Sequence, residues 1–330
     1  MKVFTLENEY ICMKVTNIGC RILELFVPDK RGQRRDIILG LAELSDIPDD
    51  TAYFGALMGR VCNRTKNAQF TLNGVTYKLA ANNGPNHLHG GIKGFDKQEF
   101  EATMGDNCIS FHRVSPDGEE GYPGNLDLTV DYILDGNTLT IKFLATTDKD
   151  TPVSLTNHMY FNLAGQNRSV LDHSLLINAG KVCCVDENIM ATGEITEVDG
   201  SIFDFRKGKK IGDGIDAGDL QIQNAGGGLD HHFIFDDLPA GTPQVELMSE
   251  ESGIRVLVKT TAPGAQIYTG NYLSEGCKGK TNAPYDNQTG VAIETQLMPN
   301  AINSKDPECV ILRKGAEYRA ETKYIFGIKK

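Results

Sequence analysis

Residues 126–143 read LDLTVDYILDGNTLTIKF. Leu126, Leu128, Val130, Tyr132 and Leu134 recur at every second position, with Asp127, Thr129 and Asp131 between them. Successive side chains of a strand point to opposite faces, so a period of two describes a strand with one buried face. Asp135-Gly136-Asn137 then supplies turn chemistry, and Leu139, Ile141 and Phe143 resume the alternation, which predicts a hairpin.

The device recurs outward from there. Phe70 to Leu79 is a second predicted hairpin around Asn73-Gly74, and at the C-terminus Tyr318, Ala320, Thr322, Tyr324, Phe326 and Ile328 share one strand face opposite Arg319, Glu321 and Lys323. Only Leu41 to Met58 has the spacing of helical turns, and Pro48 limits their length. No βαβ rhythm is present. Many short strands separated by turn residues predict an all-β protein, a sandwich of antiparallel sheets. No low-complexity linker or internal repeat divides the chain, so residues 1–330 are expected to form one domain. The loops Ala80 to Gly94, Ser115 to Gly124 and Asn224 to Asp230 are rich in Gly, Asn and Pro, and strand-end loops of this kind carry binding residues.

Composition narrows the function classes. With 33 Lys and Arg against 44 Asp and Glu, the net charge is -11, which argues against a surface that tracks phosphates, so no nucleic-acid partner is expected. Lys2, Glu7, Glu9 and Lys14 interrupt the apolar residues of the N-terminus, and no apolar run is long enough to span a bilayer. The expected compartment is the cytoplasm, with no membrane association. The eight cysteines are scattered without a C-x-x-C pair and read as free, mostly structural thiols.

Cofactor signatures fail on inspection. Gly226-Gly227-Gly228 lacks the strand, helix and acidic residue of a dinucleotide fingerprint, and Gly279-Lys280-Thr281 lacks the first glycine and the following helix of a phosphate loop. The histidines are more informative. His89 lies in Asn86-His87-Leu88-His89-Gly90-Gly91 and His158 in Asn157-His158-Met159-Tyr160-Phe161-Asn162, segments dense in Asn and Gly where side chains can converge on a ligand. A His-x-His pair with a third ligand from His158 or Asp230 would be the metal reading, but without Cys partners or a helical H-E-x-x-H it is the weaker one. His87, His112 and His173 read as structural. Glu294 ends the apolar run Gly290-Val291-Ala292-Ile293, and spacing alone leaves its face either functional or solvated. The fork of donors on Arg64 suits sugar hydroxyls and carboxylates alike.

Taken together, these segments resemble the aldose 1-epimerase (galactose mutarotase) family. The resemblance runs through Gly59-Arg60-Val61-Cys62-Asn63-Arg64, the stretch Asn82 to Gly91 with Gly94-Phe95-Asp96-Lys97, and Asp117 to Gly124. It continues through Asn157-His158 to Gly165, Gly228-Leu229-Asp230-His231, Pro263-Gly264 to Asn271, and Glu294-Thr295-Gln296. It implies a large antiparallel β-sandwich of the galactose mutarotase-like supersandwich type, no cofactor, and an isomerase of carbohydrate metabolism acting on free hexoses such as galactose and glucose. By position, Glu294 matches the general base and His158 the general acid, while Asn63, Arg64, His89, Tyr160, Asp230 and Gln266 match residues that hold the sugar. Phe100 stands where many relatives carry Trp, and the chain has no Trp.

Exchange of anomers opens the sugar ring and recloses it on the other face of the aldehyde. A base takes the C1 hydroxyl proton while an acid protonates the ring oxygen, so two titratable groups suffice. The expected starting states are an ionised Glu294 and a protonated His158, with a bell-shaped pH profile whose acid limb belongs to Glu294 and basic limb to His158. Two rivals share the fold: a non-catalytic sugar-binding module, and a mutarotase for another free sugar.

Overall fold

The computed structural model describes residues 1–329. The 126–143 stretch is the predicted hairpin: Leu126–Asp135 and Thr138–Thr147 pair antiparallel from Leu126↔Thr147 to Asp135↔Thr138. Gly136, at φ 54°, supplies the positive φ that the first position of a two-residue turn requires. Leu126, Leu128, Val130, Tyr132 and Leu134 are all buried, as the alternation demands.

The hairpin forms part of a nine-stranded antiparallel sheet. Its order is Glu101–Met104, Cys108–Ser115, Leu126–Asp135, Thr138–Thr147, Glu317–Ile328, Ile254–Thr260, Val245–Met248, Ser174–Ile177, Lys209–Lys210. The predicted C-terminal strand therefore lies near its middle, with Thr322, Tyr324 and Phe326 turned inward. A six-stranded sheet of order Tyr160–Phe161, Val291–Gln296, Gly264–Tyr268, Asp230–Ile234, Lys181–Val185, Ala191–Glu197 faces it. Apolar side chains of both sheets join one core, where Phe161 meets Tyr324 at 5.5 Å between ring centroids and Thr295 bonds Thr322 at 2.6 Å. The chain is thus an all-β sandwich, with an N-terminal sheet of four strands between Val3 and Asp36 contributing Met13, Val15, Ile22, Leu25 and Val27 to the same core. Phe100 is buried in it edge-on to Phe95.

The helical turns expected between Leu41 and Met58 reduce to a 3-10 segment, Leu44–Asp49, with Pro48 inside it. One short α-helix, Leu220–Asn224, was not predicted: the Asp219 carboxylate caps it by accepting from the Gln221 and Ile222 amides. All eight cysteines are free thiols.

The six-stranded sheet positions the functional side chains through its pleat. Along Val291–Gln296 every residue is buried, and the two faces divide the labour. Val291, Ile293 and Thr295 point into the sandwich; Ala292, Glu294 and Gln296 point away from it. By the registers Gln266↔Glu294 and His232↔Gln266, that outer face carries Glu294, Gln266 and His232 in one row. Tyr160, Ala292, Tyr268 and Asp230 form the next row. Loops rather than solvent cover it.

Candidate active site

Segments around 51–53, 63–64, 83–89 and 272–276 close over the outer face of the six-stranded sheet and leave a cleft of about 400 Å³. Asn63, Arg64, His89, His158, Tyr160, Asp230 and Glu294 all line it. Seven of the eight residues expected from the sequence thus converge from distant parts of the chain. Gln266 does not line the cleft. It sits behind Asp230, donating from Nε2 to Asp230 Oδ1 at 2.6 Å.

The pairing Arg64↔Leu88 and Thr65↔His87 explains how Arg64 and His89 reach one place. Two backbone-centred bonds lock the ribbon: the Asn63 amide donates to His89 Nδ1 at 3.1 Å, and the His89 amide donates to the Asn63 carbonyl at 3.1 Å. Asn63 and His89 take φ of 58° and 51°, a left-handed conformation that L residues hold only where the surroundings fix it. Gly90 completes the turn, since a Cβ there would collide with the Gly59 carbonyl. Arg64 Nε donates to Asn83 Oδ1 at 3.0 Å, and its Nη1 stands 3.8 Å from Asp230 Oδ2.

His158 and Glu294 meet in the floor of the cleft, with 3.5 Å between His158 Nε2 and Glu294 Oε1. The His158 backbone is clamped by two bonds, its amide to the Ala56 carbonyl at 2.9 Å and its carbonyl to the Gly55 amide at 3.0 Å. Glu294 is 2% exposed and His158 3%, which settles the face that spacing alone left open. Glu294 Oε2 and His158 Nδ1 have no partner within the protein. Ala292, small between Tyr160 and Tyr268, leaves room for their rings at 5.9 Å.

The charge states differ from the sequence expectation. Burial pushes the Glu294 carboxyl well above its ordinary value, with Asp230 adding to the rise and Arg64 opposing it, while burial takes His158 down to about 3. Both shifts favour the neutral forms, a protonated Glu294 and an unprotonated His158, and so run against the ionised base and protonated acid expected. Either distribution places one proton on the pair. Asp230 is also raised by burial, against the opposing pull of Arg64 and Gln266.

His89 Nδ1 accepts a hydrogen bond, and burial holds the ring neutral, so its Nε2 carries the proton and is a donor. This bears on the metal reading. Donor atoms of His89, His158 and Glu294 lie within 4.8 Å of one another. A metal, however, needs an imidazole lone pair, and that of His89 is committed to the Asn63 amide. The set fits an acid–base pair with an adjacent donor better than a metal centre.

The histidines read as structural are so placed. His87 bonds the Ala80 carbonyl and the Tyr122 hydroxyl, each at 2.8 Å; His173 accepts from the Leu163 amide at 3.0 Å; and His112 pairs with Asp127 at the surface. Asn83, Tyr53, Tyr268, Tyr272 and Glu275 also line the cleft and were not nominated. Asn83 and Tyr268 lie inside segments that carried the family resemblance, and Tyr268 alternates with Gln266 along its strand. Tyr53 had no comparable signal, because its segment read as a helical turn.

Residues 2–325 match the sequence profile of the family described as Aldose 1-epimerase. The chain is 43% identical to the galactose mutarotase of Sus scrofa over 326 residues, covering 98% of this chain and 94% of that protein. It is 36% identical to the aldose 1-epimerase of Escherichia coli (strain K12) over 332 residues, covering 98% and 95%. Among solved structures, an aldose epimerase homologue from C. elegans superposes with a TM-score of 0.91 at 30% identity, covering 100% of this chain and 99% of that one. The galactose 1-epimerase of Lactobacillus acidophilus NCFM gives 0.86 at 30% identity, covering 99% and 94%.

Proposed function

The chain belongs to the aldose 1-epimerase family, and we propose that its described cleft is the place where a free hexose, galactose or glucose, exchanges its anomers. The protein is an isomerase, a mutarotase. The finer assignments are that Glu294 is the base for the C1 hydroxyl, His158 the acid for the ring oxygen, and Asn63, Arg64, His89, Tyr160 and Asp230 the groups that hold the sugar, with Gln266 steadying Asp230. We also take residues 1–330 as one catalytic domain, working in the cytoplasm in hexose metabolism.

One observation carries the reading: two buried titratable groups 3.5 Å apart line a polar cleft, and each keeps an atom without a protein partner. Ring opening needs one proton taken from O1 and one given to O5, and a one-proton pair does both without net change. The resting proton on Glu294 passes to His158, Glu294 takes the C1 proton, and His158 delivers to the ring oxygen. His89 Nε2–H donates a hydrogen bond to the oxygen on which charge develops, as preorganised donors do. Reclosure after rotation about C1–C2 reverses these transfers. Acid and base each contribute roughly 100- to 10,000-fold, ample for a reaction that already proceeds slowly in water.

Polarimetry on freshly dissolved α-D-galactose and α-D-glucose, with a chelator present, tests the proposal. Faster decay of rotation with both sugars is the expected result. No acceleration with either would leave the sugar-binding module as the better reading, and inhibition by the chelator would restore the metal.

A further inference from the structure

Tyr53, a cleft residue without a signal in the sequence, is held by machinery that nothing in the acid–base scheme explains. It takes φ 60°, an uncommon conformation for an aromatic residue. Its ring packs against both rings of the reacting centre, 4.7 Å from that of His89 and 5.9 Å from that of His158 between centroids. Beneath it the fully buried Asp50 accepts from three consecutive amides: Oδ1 from Ala52 at 3.0 Å and Tyr53 at 3.1 Å, Oδ2 from Phe54 at 3.0 Å. Arg21, also fully buried, pairs with the same carboxylate and donates to the Phe54 carbonyl.

The segment continues into the His158 clamp. Gly55 takes φ 66°, and a Cβ there would strike the Ile22 carbonyl. Its own carbonyl accepts from the Ile22 amide at 3.0 Å and from Asn157 Nδ2 at 2.9 Å. A buried ion pair offers little net stability, because desolvation of both charges offsets their attraction. A turn that needed only to close would not require one.

We propose that Tyr53 is a substrate-contacting residue, a rigid aromatic wall against which the apolar C–H face of the pyranose packs beside C1 and the ring oxygen, and that the Arg21–Asp50 pair is its positioning device. The polar side chains of the sheet supply partners for hydroxyls. None of them offers a flat apolar surface next to both His89 and His158. The wall also keeps water from the proton pair. This inference rests on the cleft being the sugar site, as proposed above.

The test compares KM and kcat for galactose in Tyr53→Phe, Tyr53→Ala and Asp50→Asn, alongside Glu294→Gln. Tyr53→Phe keeps the ring and should raise KM much less than Tyr53→Ala does. Tyr53→Ala should raise KM about tenfold, equivalent to ~1.4 kcal/mol of lost sugar contact. Asp50→Asn should raise KM similarly, and in a Tyr53→Ala background should raise it no further, since the wall it positions is already gone. A merely structural Asp50 would instead lower the unfolding midpoint with KM unmoved. Unchanged KM in Tyr53→Ala, with Glu294→Gln inactive, overturns the inference alone. Full activity in Glu294→Gln overturns the site itself. If Asp50→Asn does not fold, the two Tyr53 variants, at a partly exposed residue, still decide the wall.

Discussion

Glu294→Gln should inactivate the enzyme and stabilise the protein, and the pH dependence of the second effect reports the charge state of the site. Burial raises the Glu294 carboxyl above its ordinary 4.5. Below that value the carboxyl is protonated in the folded and unfolded chains alike and does not affect stability. Above it the unfolded chain releases the proton while the folded chain keeps it, so the folded state loses about 1.4 kcal/mol per pH unit. This continues until the raised folded value is reached, which sets a ceiling of about 3 kcal/mol at pH 7. Glutamine has no proton to release, and since Glu294 Oε2 already lacks a partner, the swap strands no new buried group.

Urea unfolding of parent and variant at several pH values measures the effect. The variant should be more stable at pH 7, with the advantage shrinking as pH falls and vanishing near pH 4.5, while turnover drops by roughly 100- to 10,000-fold. The opposite sign would refute the neutral pair. Were Glu294 ionised against a protonated His158, the substitution would strand a buried imidazolium and destabilise by about 3–5 kcal/mol.

Two further outcomes follow from the site. With His158 pushed down to about 3 and Glu294 raised, the one-proton pair persists across the interval between them, so kcat/KM should not fall as pH drops from 6.5 to 4.5. The acid limb then belongs to His158 and the basic limb to Glu294; an acid limb near 6.5 that disappears in His158→Asn would return the acid to an ordinary histidine. For the sugar-holding groups, Gln266→Ala should raise KM through Asp230, and a Gln266→Ala, Asp230→Ala double variant should bind galactose no worse than Asp230→Ala alone. Additive losses would place Gln266 in direct contact with the sugar.

The period-two alternation of 126–143, and of the C-terminal strand, was enough to predict the sheets, because a strand with one buried face writes its geometry into every second residue. The turn residues Gly136 and Asn73-Gly74 fixed the hairpins for a similar local reason. The segments around His89, His158, Asp230 and Glu294 were legible through their resemblance to a family, and seven of the eight site residues expected from it line the cleft. What the sequence could not determine arises from contacts between residues far apart in the chain. Whether Glu294 faces water or a cleft depends on which loops cover the sheet, and the upward push on its carboxyl and the downward push on His158 follow from that burial. Gln266 stands behind Asp230 because of strand register, and Tyr53 reaches the site because Arg21, 32 positions before it, meets Asp50 in the interior. Local pattern specifies an element and its buried side; desolvation, register and second-layer support exist only once the sheets have packed.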